Sequence, residues 1–324
     1  MSLYRNILKQ SLKITWRNKY LWFFGLFAAL LGNGGEYEIL SRNSGRGLET
    51  GSRSIYDTGI FSAHTLSNIG RLFKDDPGTM LLLLVIGLVI LFMVGFLIWL
   101  VIVSQAALVD SSARIISKKP SRNMGIKNGF NVGVKHFWPV LGLNIIIKIA
   151  IILAFWLMGA TLLAANFQVA NGLFILLFVI LIPVAIAFSF MIKYAICYAV
   201  IKENSFLESI AEGWRLFAAN WLISIEMAFI LFFINFAFGL ALILVVLVLT
   251  IPFLFLTFVF YKLISLVGFW LMFITAIALL LAIIIIGGAM LATFQTASWT
   301  GLFVELVGKG GESKIKRVVE EWKK

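Results

Sequence analysis

Residues 220–250 read NWLISIEMAFILFFINFAFGLALILVVLVLT, an apolar run broken by one charge, Glu226. More than about 18 consecutive apolar residues match the thickness of a bilayer's hydrocarbon and read as a membrane span. Comparable runs lie at 20–32, 79–109, 137–165, 172–201 and 264–307. Composition points the same way, since 61% of the 324 residues are hydrophobic and only 13% charged, a balance that a soluble globular domain does not have. The chain therefore reads as all-α, a polytopic transmembrane helix bundle of about six spans. Residues 1–308 form one membrane domain and 309–324 a basic tail in which KIKRVVEEWKK can lie as a short amphipathic helix on the inner leaflet.

Basic residues set the threading. The net charge is +12, which in a soluble protein would suggest nucleic acid. Here the lysines and arginines flank apolar runs, and the positive-inside rule accounts for them without nucleic acid. Arg5, Lys9, Lys13, Arg17 and Lys19 precede the first run, Arg114 to Lys135 fill the connection after the second, and Lys309 to Lys324 close the chain. These belong on the cytoplasmic side, while the loop 33–78, which mixes acids and bases, and NFQVANG at 166–172 face outward. Both termini are then cytoplasmic. The first run, YLWFFGLFAALLG, is short and resembles the apolar part of a secretory signal peptide. It is expected to be retained, because an amphipathic helix precedes it and no Ala-x-Ala cleavage pattern follows.

Three segments repeat one design: LKQSLKITWRNKYLWFFGLF, IKNGFNVGVKHFWPVLGLN and FLESIAEGWRLFAANWLISIE, each an amphipathic stretch that runs straight into a span. Repeats at about 1–119, 120–203 and 204–308 follow, each an interfacial helix and a hairpin of two spans. In the first, Arg5, Lys9, Lys13 and Arg17 recur every four residues along one helical face, with Leu3, Ile7, Leu8, Leu12 and Trp16 on another. That pattern predicts an in-plane helix on an anionic leaflet. In the third, Ser205 and Glu208 have capping-box spacing. Trp16, Trp22, Trp138, Trp214 and Trp221, with Arg215, are expected as anchors at the membrane interface, where an indole has an apolar body and a polar edge. The second spans end in SQAALVDSSARI, KYAICYAVIKE and FQTASWTGLFVEL, whose small and aromatic residues permit close helix approach.

The repeats, with the opening ITWRNKYLWFFGLFAALLGNGGEYE, resemble bacterial multi-pass inner-membrane proteins that include the membrane domain attached to some glycerophosphodiester phosphodiesterases. The likeness covers about residues 3–308. It implies a six-helix bundle in the bacterial cytoplasmic membrane. It carries no phosphodiesterase activity to this chain, which lacks the barrel domain and its metal-binding carboxylates.

Charges inside spans cost about 2.5–3.5 kcal/mol at a helix centre on insertion scales and invite a functional reading. The candidates are Lys148, Lys193 and Glu226, with Asn144 one turn before Lys148 and Gln105 and Gln295 in the cytoplasmic halves of their spans. One reading is an inward-facing polar cavity in which the lysines grip an anionic headgroup or carboxylate and Glu226 balances their charge. The other makes them structural, ion pairs and hydrogen bonds between helices; a proton relay would need several acids in line. Other features are bland. Cys197 is a lone thiol in apolar surroundings, and His64 and His136 are too isolated for a metal site or a triad. LGNGGEYE lacks the lysine and hydroxyl of a phosphate loop, and Gly287–Gly288 fits tight packing or a bend. No cofactor and no catalytic residue is expected. The leading function is non-enzymatic binding, movement or organisation of anionic lipids or amphiphiles, set against a scaffold for partner proteins and a membrane-embedded lipid enzyme.

Overall fold

The structure, a computed structural model, describes residues 2–30, 77–117, 125–162, 167–264 and 266–309. Among these the chain is all-helical, without strands. In order come α1 (Ser2–Arg17), α2 (Tyr20–Ala29), α3 (Pro77–Ile116), α4 (Ile126–Lys135), α5 (Phe137–Leu162), α6 (Phe167–Ile201), α7 (Phe206–Ala219), α8 (Trp221–Val259), a π-helical turn (Phe260–Ile264) and α9 (Leu266–Lys309). The loop expected at 33–78 lies almost wholly outside the described residues, as do His64, the LGNGGEYE stretch and the tail beyond Lys309.

Five helices are long and apolar enough to cross a membrane: Gly78–Ile116, Phe137–Ala154, Ile175–Ile201, Trp221–Lys262 and Val267–Gly308. The chain is an integral membrane protein. The run expected to cross first corresponds to α2, whose 10 residues rise about 15 Å, half of a hydrocarbon core. Two boundaries also differ from expectation. Helix α6 begins at Phe167, inside the polar stretch taken as an outer connection, and α8 runs on through Pro252 to Val259. The hydroxyls of Thr250 and Thr257 turn back to the Val246 and Phe253 carbonyls at 2.7 Å each, and the helix continues on both sides of Pro252.

The described chain divides into two compact units. The described residues of one are 77–100, 151–162 and 167–186, and they present lipid-type surface: every residue from 81 to 98 is exposed, as are Ile175, Leu176, Val179 and Ile180. The other contains 1–33, 101–150 and 187–324 and holds the core. There Leu21, Phe24 and Ala28 of α2 pack with Ala107, Leu108, Ala297 and Ile14. Gly25 makes this possible, because a Cβ at that position would fall within 3.0 Å of the Thr293 hydroxyl and the Ala289 carbonyl of α9.

Each short helix meets the next through one polar residue that caps the carbonyl four positions back. Asn18 Nδ2 donates to Ile14 O at 3.0 Å, Asn220 Nδ2 donates to Leu216 O at 3.1 Å, and His136 Nδ1 lies 3.0 Å from Val132 O. Each of these carbonyls also accepts the backbone amide of the same residue, so the side chain adds a second bond at the helix end, and His136 is buried. Each short helix also packs on the C-terminal part of a long one at a glycine. Gly133 of α4 abuts Val103 of α3, Gly213 of α7 abuts Met191 and Ala195 of α6, and Ile7 of α1 sits against Gly301 of α9. In each of these three contacts a glycine lets the two helices approach closely.

The capping box at Ser205 and Glu208 is formed, with the Ser205 amide donating to Glu208 Oε2 at 3.4 Å. Just before it the chain turns through Glu203, in the left-handed region at φ 57°. Its carboxylate accepts from Lys135 Nζ at 2.7 Å, and that hydrogen bond holds the Glu203 carboxyl below the usual range.

Candidate functional site

Helix α1 has three faces. Ile7, Ser11, Ile14 and Thr15 are buried, and Ile7 and Ser11 face Gly301 of α9. Leu12 and Trp16 stand exposed, and Arg5, Lys9, Lys13 and Arg17 are exposed beside them. The single apolar face expected from Leu3, Ile7, Leu8, Leu12 and Trp16 is thus divided. At 100° per residue Ile7 and Trp16 lie on opposite sides of the helix, and the first sits against Gly301. Trp22 is half-buried, with Nε1 donating to the Thr15 carbonyl at 2.8 Å. It ties α1 to α2 at the elbow. Trp138, Trp214 and Trp221 are exposed, and Arg215 pairs with Glu212 at 2.9 Å.

A groove of about 650 Å³ runs along α1. Lys9, Lys13 and Arg17 supply three cations to it, and Asn6, Gln10 and Asn18 three amides. Ile14 and Ile115, the latter from the end of α3, are its apolar lining, and no lining residue is acidic. The helical period makes the row: Lys9, Lys13 and Arg17 follow one another at four-residue spacing, about 6 Å of rise per step.

The intramembrane polar residues are met by other helices. Asn144, buried on α5, donates from Nδ2 to Gln105 Oε1 of α3 at 2.7 Å and to Val140 O at 2.8 Å. The fold thus brings together two of the predicted site residues. Glu226, half-buried on α8, accepts from the Tyr4 hydroxyl of α1 through Oε2. Lys193 stacks its ammonium over Trp299, 4.5 Å from the ring centroid, and over Phe190 at 5.5 Å. A cation over an aromatic face gains about 0.5–2 kcal/mol, more where water is excluded. Lys148 is exposed on α5 and Gln295 half-buried on α9.

Several partners were not identified from the sequence. The Tyr194 and Ser224 hydroxyls meet at 2.7 Å between α6 and α8, and Thr293 Oγ1 reaches Leu21 O at 3.3 Å between α9 and α2. Trp299 is buried against Phe190 and Tyr194 with ring centroids 5.3 and 6.3 Å away. A small residue or hydroxyl in the second-span ends was the available signal, and it marked the region without naming the pairs. No family model, curated protein or solved structure matches the chain.

Proposed function

We propose that this is a non-enzymatic protein of the bacterial cytoplasmic membrane that binds and organises anionic lipid at the cytoplasmic leaflet. The observation that carries the reading is the exposed stripe Arg5, Lys9, Lys13 and Arg17 beside exposed Leu12 and Trp16, charge for the headgroups next to apolar surface for the acyl boundary. In this reading the chain has three repeats, α1–α3, α4–α6 and α7–α9. Support comes from the shared elbow bonds of Asn18, His136 and Asn220 and from the glycine contact that each short helix makes. Helix α2 counts as the first crossing by analogy with α5 and α8, and both termini are cytoplasmic. The resemblance to membrane domains attached to glycerophosphodiester phosphodiesterases stands as a proposal about the fold alone.

Native mass spectrometry of the purified chain tests the reading. Wild type is expected to retain anionic lipid, and the Arg5→Gln, Lys9→Gln, Lys13→Gln, Arg17→Gln variant to lose it while remaining helical. A Lys148→Leu, Lys193→Leu variant run beside it reports whether the intramembrane lysines hold lipid as well. Lipid that survives the α1 substitutions would overturn the proposal.

A scaffold for partner proteins is the second reading. It is favoured by the bonds Asn144–Gln105 and Tyr4–Glu226 and by Lys193 over Trp299, which spend the intramembrane polar groups on holding helices together. Partner proteins recovered in mild detergent, with no lipid retained, would favour it.

A further inference from the structure

We infer that the groove on α1 is a discrete site for a ligand bearing two phosphates, set one helical turn apart. The inference rests on the anionic-lipid reading and narrows it from a charged surface to named residues. Lys9, Lys13 and Arg17 form a row with one cation per turn along a cavity of about 650 Å³, within the range of small-molecule pockets. The row extends about 12 Å, too long for one phosphate to engage all three cations. Two phosphates joined by a short polyol match the repeat. One sits between Lys9 and Lys13, the other between Lys13 and Arg17, where the guanidinium offers a planar fork to two oxygens.

The amides supply the rest of the recognition. Asn6 and Gln10, also one turn apart, offer side-chain N–H donors and carbonyl acceptors to hydroxyls on the linker. Ile14 and Ile115 accept its carbon atoms. With no acidic side chain in the lining, a cation is unfavourable there and a multiply charged anion favourable. Arg5 belongs to the exposed stripe and not to the groove. A site therefore makes a distinction that general attraction to a charged leaflet does not.

The chemistry fits a two-phosphate lipid headgroup or a soluble bisphosphate, and two arms of one experiment separate them. In the first, the full chain in neutral detergent is titrated with glycerol 1,3-bisphosphate and with inorganic phosphate. In the second, its binding is measured on phosphatidylcholine vesicles doped with diphosphatidylglycerol, or with phosphatidylglycerol at equal charge. Wild type is compared with Lys9→Gln, Lys13→Gln, Arg17→Gln, and with a control that removes three exposed cations outside the groove, Lys19→Gln, Lys127→Gln, Lys202→Gln.

General attraction is worth about fivefold in binding per cation, in groove variant and control alike, so a site predicts that the groove variant binds at least about tenfold more weakly than the control, with Lys9→Arg, Lys13→Arg retaining wild-type binding. Glycerol 1,3-bisphosphate preferred over phosphate in detergent assigns a soluble ligand; preference for diphosphatidylglycerol on vesicles alone assigns a lipid. Equal losses in groove variant and control would overturn the site and leave general lipid attraction standing. No preference for two phosphates in either arm would also overturn it. Binding unchanged in both variants would overturn the site and the lipid reading together. Circular dichroism and a monodisperse elution profile establish that each variant is folded.

Discussion

Along α9, Val267, Trp270, Leu271 and Ile274 stand exposed, whereas Ala289, Ala292, Thr293, Ala297 and Ser298 are buried. No residue of 267–286 is buried, yet both parts belong to one unbroken helix. Hydropathy falls from the first part to the second, where hydroxyls, Gln295 and Glu305 enter the sequence, and side-chain size falls with it. Long aliphatic chains keep neighbouring backbones apart and meet lipid. Alanine, serine, threonine and glycine let a second helix come close enough for van der Waals packing and for hydroxyl-to-carbonyl bonds. Helix α3 repeats the contrast, with exposed Leu and Ile from 81 to 98 and buried Ser104, Ala106, Ala107, Ser112 and Ala113 beyond them.

The largest test of this contrast is steric. Gly25→Leu puts a side chain where the α9 backbone already stands. It is expected to cost about 4 kcal/mol or more, or to abolish a monodisperse protein. Gly288→Leu on α9, with nothing within 4 Å of its Cβ position, is expected to leave the Tm in detergent within about 3 °C. Equal damage from both would break the comparison.

Truncation comes next. Trp299→Ala empties a space shared with Phe190, Tyr194 and the Lys193 ammonium and is expected to cost about 3–5 kcal/mol. Trp270→Ala, where the ring is 53% exposed, is expected to cost less than about 1 kcal/mol. Thermal unfolding followed by size-exclusion chromatography ranks the two.

Hydroxyls sharpen the comparison further. Thr293 Oγ1 lies 2.8 Å from Ala289 O and 3.3 Å from Leu21 O across the contact. Thr275 Oγ1, on the exposed part, bonds only its own helix at Leu271 O, 2.7 Å away, among the described residues. Thr293→Val is expected to cost about 0.6–1.7 kcal/mol, and Thr275→Val to be near neutral by the same unfolding measurement.

The smallest expected effect lies outside the spans. Glu203 has its carboxyl lowered by the bond from Lys135, so the folded state binds its proton more weakly than the unfolded chain. The resulting stabilisation is present above the unfolded carboxyl value and is lost as pH falls through the lower folded value. Because the pair is exposed, the acid-induced fall in Tm is expected to be slight. It should shrink in Lys135→Gln and in high salt; an unaltered acid response would remove the pair from the account.

Much of the scaffold was legible from local properties. The three amphipathic segments and the capping box were marked by pattern, whereas the elbow residues Asn18, His136 and Asn220 were not. Asn144 and Gln105 were singled out as polar residues inside spans, though not as partners. Their bond, like that between Tyr4 and Glu226, joins residues far apart in the chain, 39 and 222 positions respectively, and no periodicity reports such a pairing. Trp16 and Trp22 looked alike as interfacial anchors, yet one is exposed and the other bonded to the Thr15 carbonyl. That difference depends on the turn between two helices.

By itself the sequence determined that this chain enters a membrane, that it is helical, and where basic amphipathic helices precede apolar ones. Hydropathy, charge and the 3.6-residue period are properties of a segment and its solvent, so they can be read without knowing the path of the chain. Only the tertiary structure decided that α1 turns Ile7 and Ser11 toward Gly301 of α9, that α2 lies buried against that helix through Gly25, and that Lys9, Lys13 and Arg17 share a groove with Ile115. Each of these requires two distant segments to meet. Meeting is decided by which surfaces are small enough to let backbones approach, a property of the pair and not of either segment alone.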